Sequence, residues 1–154
     1  NQFGMLERCA LRNGNVHSAD GWRGVLDPII SHYATRDILR LFRTYAAYAI
    51  PALYERLEET GYFYAIRLPA NNVLREKIAH RLTRPVGRPS QTKVKRFYED
   101  FEYQAASWDK ERRVIAKIEW HPGELFPIGV HQKNTLLRLY LFQLVKKVFF
   151  IADS

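Results

Sequence analysis

Metal-dependent chemistry on phosphodiesters needs several carboxylates converging on two metal ions about 4 Å apart. Asp20, Asp27, Glu55, Glu58 and Glu59 are carboxylates of the first half of the chain. All five fall in segments of helical spacing or near their caps, where a solvated helix face explains them. In alternating β/α folds such groups sit at strand ends or on an adjoining helix. The strand end at Phe42-Arg43-Thr44 carries none. His121-Pro122-Gly123-Glu124 holds two metal-ligating residue types. Its Pro-Gly pair reads as a tight turn, and His17, His32, His80 and His131 show no ligand spacing with it. Cys9, the single cysteine, has no recognised nucleophile signature and reads as a buried apolar side chain. No phosphate-binding Gly-rich loop, Gly-x-Ser-x-Gly elbow or His-Glu-x-x-His occurs.

What remains is positive charge. The net charge of +8 is large for 154 residues and points to a polyanionic partner, nucleic acid being the commonest. A membrane-surface protein would concentrate its cations on one long amphipathic helix, whereas here they are scattered. Gly87-Arg88-Pro89 stands among Arg84, Lys93 and Lys95. Such a core can lie extended in a narrow A·T-rich minor groove, or serve as a stiff basic linker. The linker is the preferred reading, with Arg84, Arg88, Lys93 and Lys95 as candidate DNA contacts. One cysteine allows no internal disulfide, which fits a reducing cytoplasm. Neither a signal peptide nor an apolar run of spanning length is visible.

The elements that would carry these residues are legible from spacing. Ser18 and Asp20 are helix-start residues, and Trp22, Val25, Leu26, Ile29, Ile30 and Tyr33 recur at helical intervals. Pro28 either kinks that helix or opens it with Asp27 as cap. Asp37 to Thr44, a short apolar run around Ile38-Leu39-Arg40-Leu41-Phe42, reads as a buried strand. Pro51 opens a second helix with Leu53, Tyr54 and Leu57 on one side, stopped at Gly61. Tyr62 to Leu68 is a second strand. Asn71 or Asn72 caps a third helix with Val73, Leu74, Ile78 and Leu82 as its stripe. This alternation predicts parallel pairing with helices on the faces. After the linker, Phe97, Phe101 and Tyr103, then Val114, Ala116, Ile118 and Trp120, alternate with polar residues around a turn at Ser107-Trp108-Asp109-Lys110. That is an antiparallel hairpin with one buried face. Leu136 to Ile151 is apolar with no clean polar face. The expected division is a core over 1–83, a basic Pro/Gly linker over 84–93, a hairpin insertion over 94–127 and a divergent apolar tail over 128–154.

Several segments together resemble a group of bacterial insertion-sequence transposases with a DDE catalytic domain. They are Leu11-Arg12-Asn13-Gly14-Asn15-Val16-His17-Ser18-Ala19-Asp20-Gly21-Trp22, Tyr64-Ala65-Ile66-Arg67-Leu68-Pro69-Ala70-Asn71, Arg84-Pro85-Val86-Gly87-Arg88-Pro89, and Arg113-Val114-Ile115-Ala116-Lys117-Ile118-Glu119-Trp120-His121-Pro122-Gly123-Glu124-Leu125. The resemblance runs from about residue 8 to 127 in the family's order. It implies a partial RNase H-like, retroviral integrase-like α/β core with an antiparallel β-rich insertion. It also implies Mg²⁺ as the cofactor of intact relatives and transposon-end DNA as partner.

Three departures follow from the same resemblance. The first catalytic Asp is expected on a strand upstream of Asn1. The pattern Phe-Arg-x-Asp-x-x-Phe falls on Phe42-Arg43-Thr44-Tyr45-Ala46-Ala47-Tyr48, so Tyr45 occupies the position of the second catalytic Asp. A phenol is a poor substitute for a carboxylate on a hard cation. The catalytic Glu is expected on a helix after the insertion, yet the resemblance stops near Pro127, as a shifted reading frame would produce. The expectation is therefore a transposase fragment with no assignable catalytic residue and no cofactor of its own. It would fold marginally or self-associate through open sheet edges. The alternatives are a basic DNA-binding module without chemistry, or an inactive pseudogene product.

Overall fold

The structure is a computed structural model that describes residues 3–83, 86–87, 92–120 and 138–143, the last stretch as backbone. Residues 3–20 form turns and extended chain with no helix or strand. Cys9 in this stretch is exposed rather than buried as the sequence suggested.

Helix α1 spans Trp22–Tyr33. Its N-cap is Gly21, in the left-handed region at φ 67°, and not Ser18 or Asp20. Asp20 instead accepts a hydrogen bond from the His17 backbone N–H at 3.2 Å. Pro28 lies inside α1 rather than opening it. Strand β1 is Leu41–Thr44, shorter than expected because it begins only at Leu41. It is half exposed, with Leu41 at 65%, because among the described residues it pairs on one side only. A 3-10 turn over Ala46–Tyr48 leads to helix α2, Pro51–Glu59, which ends before Gly61 at φ 70°. Strand β2 is Phe63–Leu68.

Asn71 caps helix α3, Asn72–Lys77, its side-chain oxygen accepting from the Leu74 N–H at 2.8 Å. The expected single third helix is broken at Ile78, and α4 covers only Ala79–Leu82. Val73, placed on its apolar stripe by spacing, is exposed. Strands β3, Lys95–Tyr103, and β4, Arg112–Trp120, form the expected antiparallel hairpin. Strand β5, Arg138–Gln143, falls in the stretch read from sequence as a divergent apolar tail.

One mixed sheet results, in the order β1-β2-β5-β4-β3. β1 and β2 are parallel, while β5 is antiparallel to β2 on one side and to β4 on the other. The fold is mixed α/β. The core lies on one face of the sheet. There Tyr64, Ile66 and Leu68 of β2 and Val114, Ala116 and Ile118 of β4 join residues from α1, α2 and α3. Burying these side chains is the main stabilising contribution. No described helix is long and apolar enough to cross a membrane.

Candidate functional site

Tyr45 directly follows β1 and has extended backbone at φ −88° and ψ 174°. Phe42 packs against the core, so strand alternation turns Leu41, Arg43 and Tyr45 to the opposite face. The Tyr45 side chain is 76% exposed. The segment from Arg12 to Asp20 is drawn to this strand end by Arg12. Its guanidinium donates to the carbonyls of Ser18 at 2.6 Å and Asp20 at 2.5 Å, and to the Tyr48 hydroxyl at 3.5 Å. Two of the segments singled out in the sequence thus meet beside β1.

Residues 38–54 and 60–75, which carry both parallel strands and the turns after them, contain no Asp or Glu. Among the described residues no three His, Cys, Asp or Glu side chains stand together. All but one of the carboxylates that sequence spacing raised have structural partners instead. Asp27 pairs with Arg56 at 2.9 Å, and Glu59 lies 3.6 Å from the same guanidinium. Glu55 is exposed on α2. A pair of divalent metal ions does not fit this strand end: its side chains are a phenol and arginines, not hard anionic oxygens.

Glu58 departs most from its expected role as a solvated helix residue. Its side chain is 11% exposed and that of Arg112 is 3% exposed. Arg112 donates to both carboxylate oxygens, at 2.9 and 3.2 Å, and contacts Asp109 at 2.7 Å. Lys110 lies 2.8 Å from Glu58, and the Tyr64 hydroxyl donates to it at 2.7 Å. Burial pushes the Glu58 carboxyl up, but hydrogen bonds from Arg112, Lys110 and Tyr64 outweigh that and hold it below its ordinary value. The Arg112 guanidinium also lies over the rings of Tyr54 and Trp108, at 5.3 and 5.6 Å. The network ties α2 to the start of β4 and performs no evident chemistry. Sequence spacing gave no sign of it, because its two principal members are separated by 54 positions.

The basic candidates divide. Arg84 and Arg88 lie outside the described residues, as does the His121-Pro122-Gly123-Glu124 turn. Lys93 and Lys95 are exposed, Lys95 opening β3 opposite Trp120. Near them α4 packs on β3, with Arg81 over the Phe97 ring at 5.7 Å and paired with Glu99. Further along β4, Lys117 and Glu119 are buried side chains 3.1 Å apart, and Arg96 donates to Glu119 at 2.8 Å. Burial raises the Glu119 carboxyl, and bonds from Arg96 and Lys117 more than reverse this.

No curated protein and no solved structure is significantly similar to the chain. The model of one family, described as transposase DDE domain group 1, matches residues 1–140. The match runs past Pro127, where the resemblance read from sequence stopped, and takes in the start of β5. With both ends of the parallel pair and the whole hairpin inside that match, the chain belongs to the transposase DDE domain group 1 family.

Proposed function

We propose that this chain is a DNA-engaging portion of a DDE transposase that does not catalyse strand transfer with its own residues. The carrying observation is Tyr45, at the strand end where the motif calls for a carboxylate, within the acid-free stretch 38–54 and facing the acid-free stretch 60–75 across the parallel pair. Mg²⁺, the metal of intact relatives, does not fit the residues present, and no step is routed through it. In this reading residues 1–83, with the parallel pair β1 and β2 and helices α1 and α2, are a partial RNase H-like core, the 84–93 stretch is a basic linker, and the hairpin over 94–127 is the insertion. Transposon-end DNA is the partner. Exposed β1, paired on one side among the described residues, supports self-association as a second property.

Binding to duplex DNA should be dominated by phosphate contacts. If Arg84, Arg88, Lys93 and Lys95 each neutralise one phosphate, affinity should fall roughly a hundredfold between about 50 and 200 mM salt. Titration of a labelled duplex at several salt concentrations measures this. Affinity independent of salt, or no binding at the lowest salt, would sink the reading.

A Tyr45→Asp variant should show no Mg²⁺-dependent DNA cleavage. One carboxylate cannot hold two metal ions, and residues 38–54 and 60–75 supply no second. Nicking of a supercoiled plasmid by that single variant above the unaltered chain would refute this account of the site.

A further inference from the structure

The strand end that cannot hold metal has a different chemical character, and it lies across the sheet from Lys95, which opens β3 at the opposite edge. On β2 the core side takes Tyr64, Ile66 and Leu68, so Phe63, Ala65 and Arg67 face the other way. Arg43 is level with Ala65, and Thr44 is level with Ile66. Tyr45 is therefore next in register with Arg67, and Arg43 lies one strand over and two residues back. Adjacent-strand spacing and rise put the Cα atoms of Arg43 and Arg67 about 8 Å apart. Arg43, Tyr45 and Arg67 thus share one face at the carboxyl ends of a parallel pair, the place where open α/β sheets take ligands.

Two further observations give that face a sign. No carboxylate of the described residues pairs with Arg43 or Arg67, whereas Arg56, Arg81, Arg96, Arg112 and Arg113 all have one. Residues 38–54 and 60–75 offer none to compete. Tyr45, next to Arg67 in register and two residues beyond Arg43, is mostly exposed and sits at the end of a strand with one unpaired edge among the described residues.

We propose that Arg43, Tyr45 and Arg67 form a docking site for single-stranded DNA, the two arginines taking phosphates and the Tyr45 ring stacking on an unpaired base. The assignment rests on the reading that the chain engages DNA, and adds where and in what form. Arginine forks bind phosphate oxygens in pairs, and an exposed ring stacks on any base whose face is free. A base inside a duplex has no free face, which selects the single strand. Replacement of a carboxylate by Tyr45 removes the repulsion that an anion would otherwise place beside the incoming phosphates.

The test is anisotropy of a labelled oligothymidylate of about 15 nucleotides with the full chain, titrated over a range of salt. Arg43→Gln with Arg67→Gln should weaken binding roughly tenfold and reduce the salt slope by about 1.4, two contacts at about 0.7 each. Arg43→Lys with Arg67→Lys should keep the slope. Tyr45→Ala should weaken binding about tenfold with the slope unchanged, and Tyr45→Phe should bind as the parent does. Lys93→Gln with Lys95→Gln should lower duplex affinity and leave the Tyr45→Ala effect intact. If the oligonucleotide binds but the Arg43/Arg67 glutamine pair keeps the parental slope, or Tyr45→Ala matches the parent, the docking site is overturned while DNA engagement stands. Failure of every DNA to bind overturns both.

Discussion

Replacing Arg112 with methionine should destabilise the fold by about 3–5 kcal/mol, the usual consequence of leaving a buried charge without its partner. The methionine chain fills part of the space beside Tyr54 and Trp108 but gives up the guanidinium's attraction to both rings, which adds to the loss. What remains is Glu58, 11% exposed, held by Lys110 and the Tyr64 hydroxyl alone. A drop of about 3 kcal/mol would lower Tm by roughly 6–12 °C in a chain of this size. Adding Glu58→Gln to Arg112→Met should return a good part of that stability, since the amide removes a buried charge left with Lys110 as its sole cation and still accepts from Tyr64. A thermal melt of the two variants beside the parent decides it. An Arg112→Met chain within about 1 kcal/mol of the parent would be inconsistent with a buried pair. The pH dependence has a definite sign. The folded Glu58 carboxyl sits below its ordinary 4.5, so its contribution is complete above that value and is lost as pH falls through the lower folded value. The stability gap between the parent and Glu58→Gln should therefore close on acidification, not on alkalinisation.

The parts of this molecule that were readable in sequence are those fixed by local pattern. The spacing of Leu53, Tyr54 and Leu57 between Pro51 and Gly61 defines α2 almost to the residue. Alternation at Val114, Ala116 and Ile118 defines the core side of β4. Asn71 caps α3 as its residue type suggested. The misplaced features depend on distant neighbours. Ile38 and Leu39 have the composition of a strand but lie before β1 and are exposed, since their apolar character finds no covering element among the described residues. Leu139 and Leu141 belong to a run without strand punctuation, yet their backbone enters the sheet between β2 and β4. At the candidate site, the absence of a carboxylate after Phe42-Arg43-Thr44 was plain from composition. That Arg43, Tyr45 and Arg67 share one face was not, because it depends on the parallel register of two strands joined through α2. The usable signal was there in outline: two strands ending in an arginine-bearing, acid-free stretch.

Trp108→Ala should destabilise by about 3–5 kcal/mol and should affect the whole structure rather than the hairpin alone. Sequence placed Trp108 in a turn, but its side chain is 8% exposed. It packs edge-on against Tyr54 of α2 at 5.5 Å and Tyr103 of β3 at 5.4 Å. Its backbone N–H donates to Ala105 and its carbonyl accepts from Gln104, each at 3.0 Å, which fixes the loop that presents the ring. Trp108 therefore closes the hairpin over the same helix that Arg112 grips through Glu58. Because the two side chains touch, their losses should not add, and the double variant should fall short of the sum. If 94–127 behaved as an insertion energetically separate from the core, removing the indole would melt the hairpin and leave the α2 transition in place. A single shifted transition seen alike by helix and aromatic circular dichroism is the expected result. The coupling has a physical origin: β5 joins β4 to β2 in one sheet, and Tyr54, Tyr64 and Trp108 belong to one core cluster. Two transitions, with the helical one unmoved by Trp108→Ala, would show that this shared core does not bind the halves together.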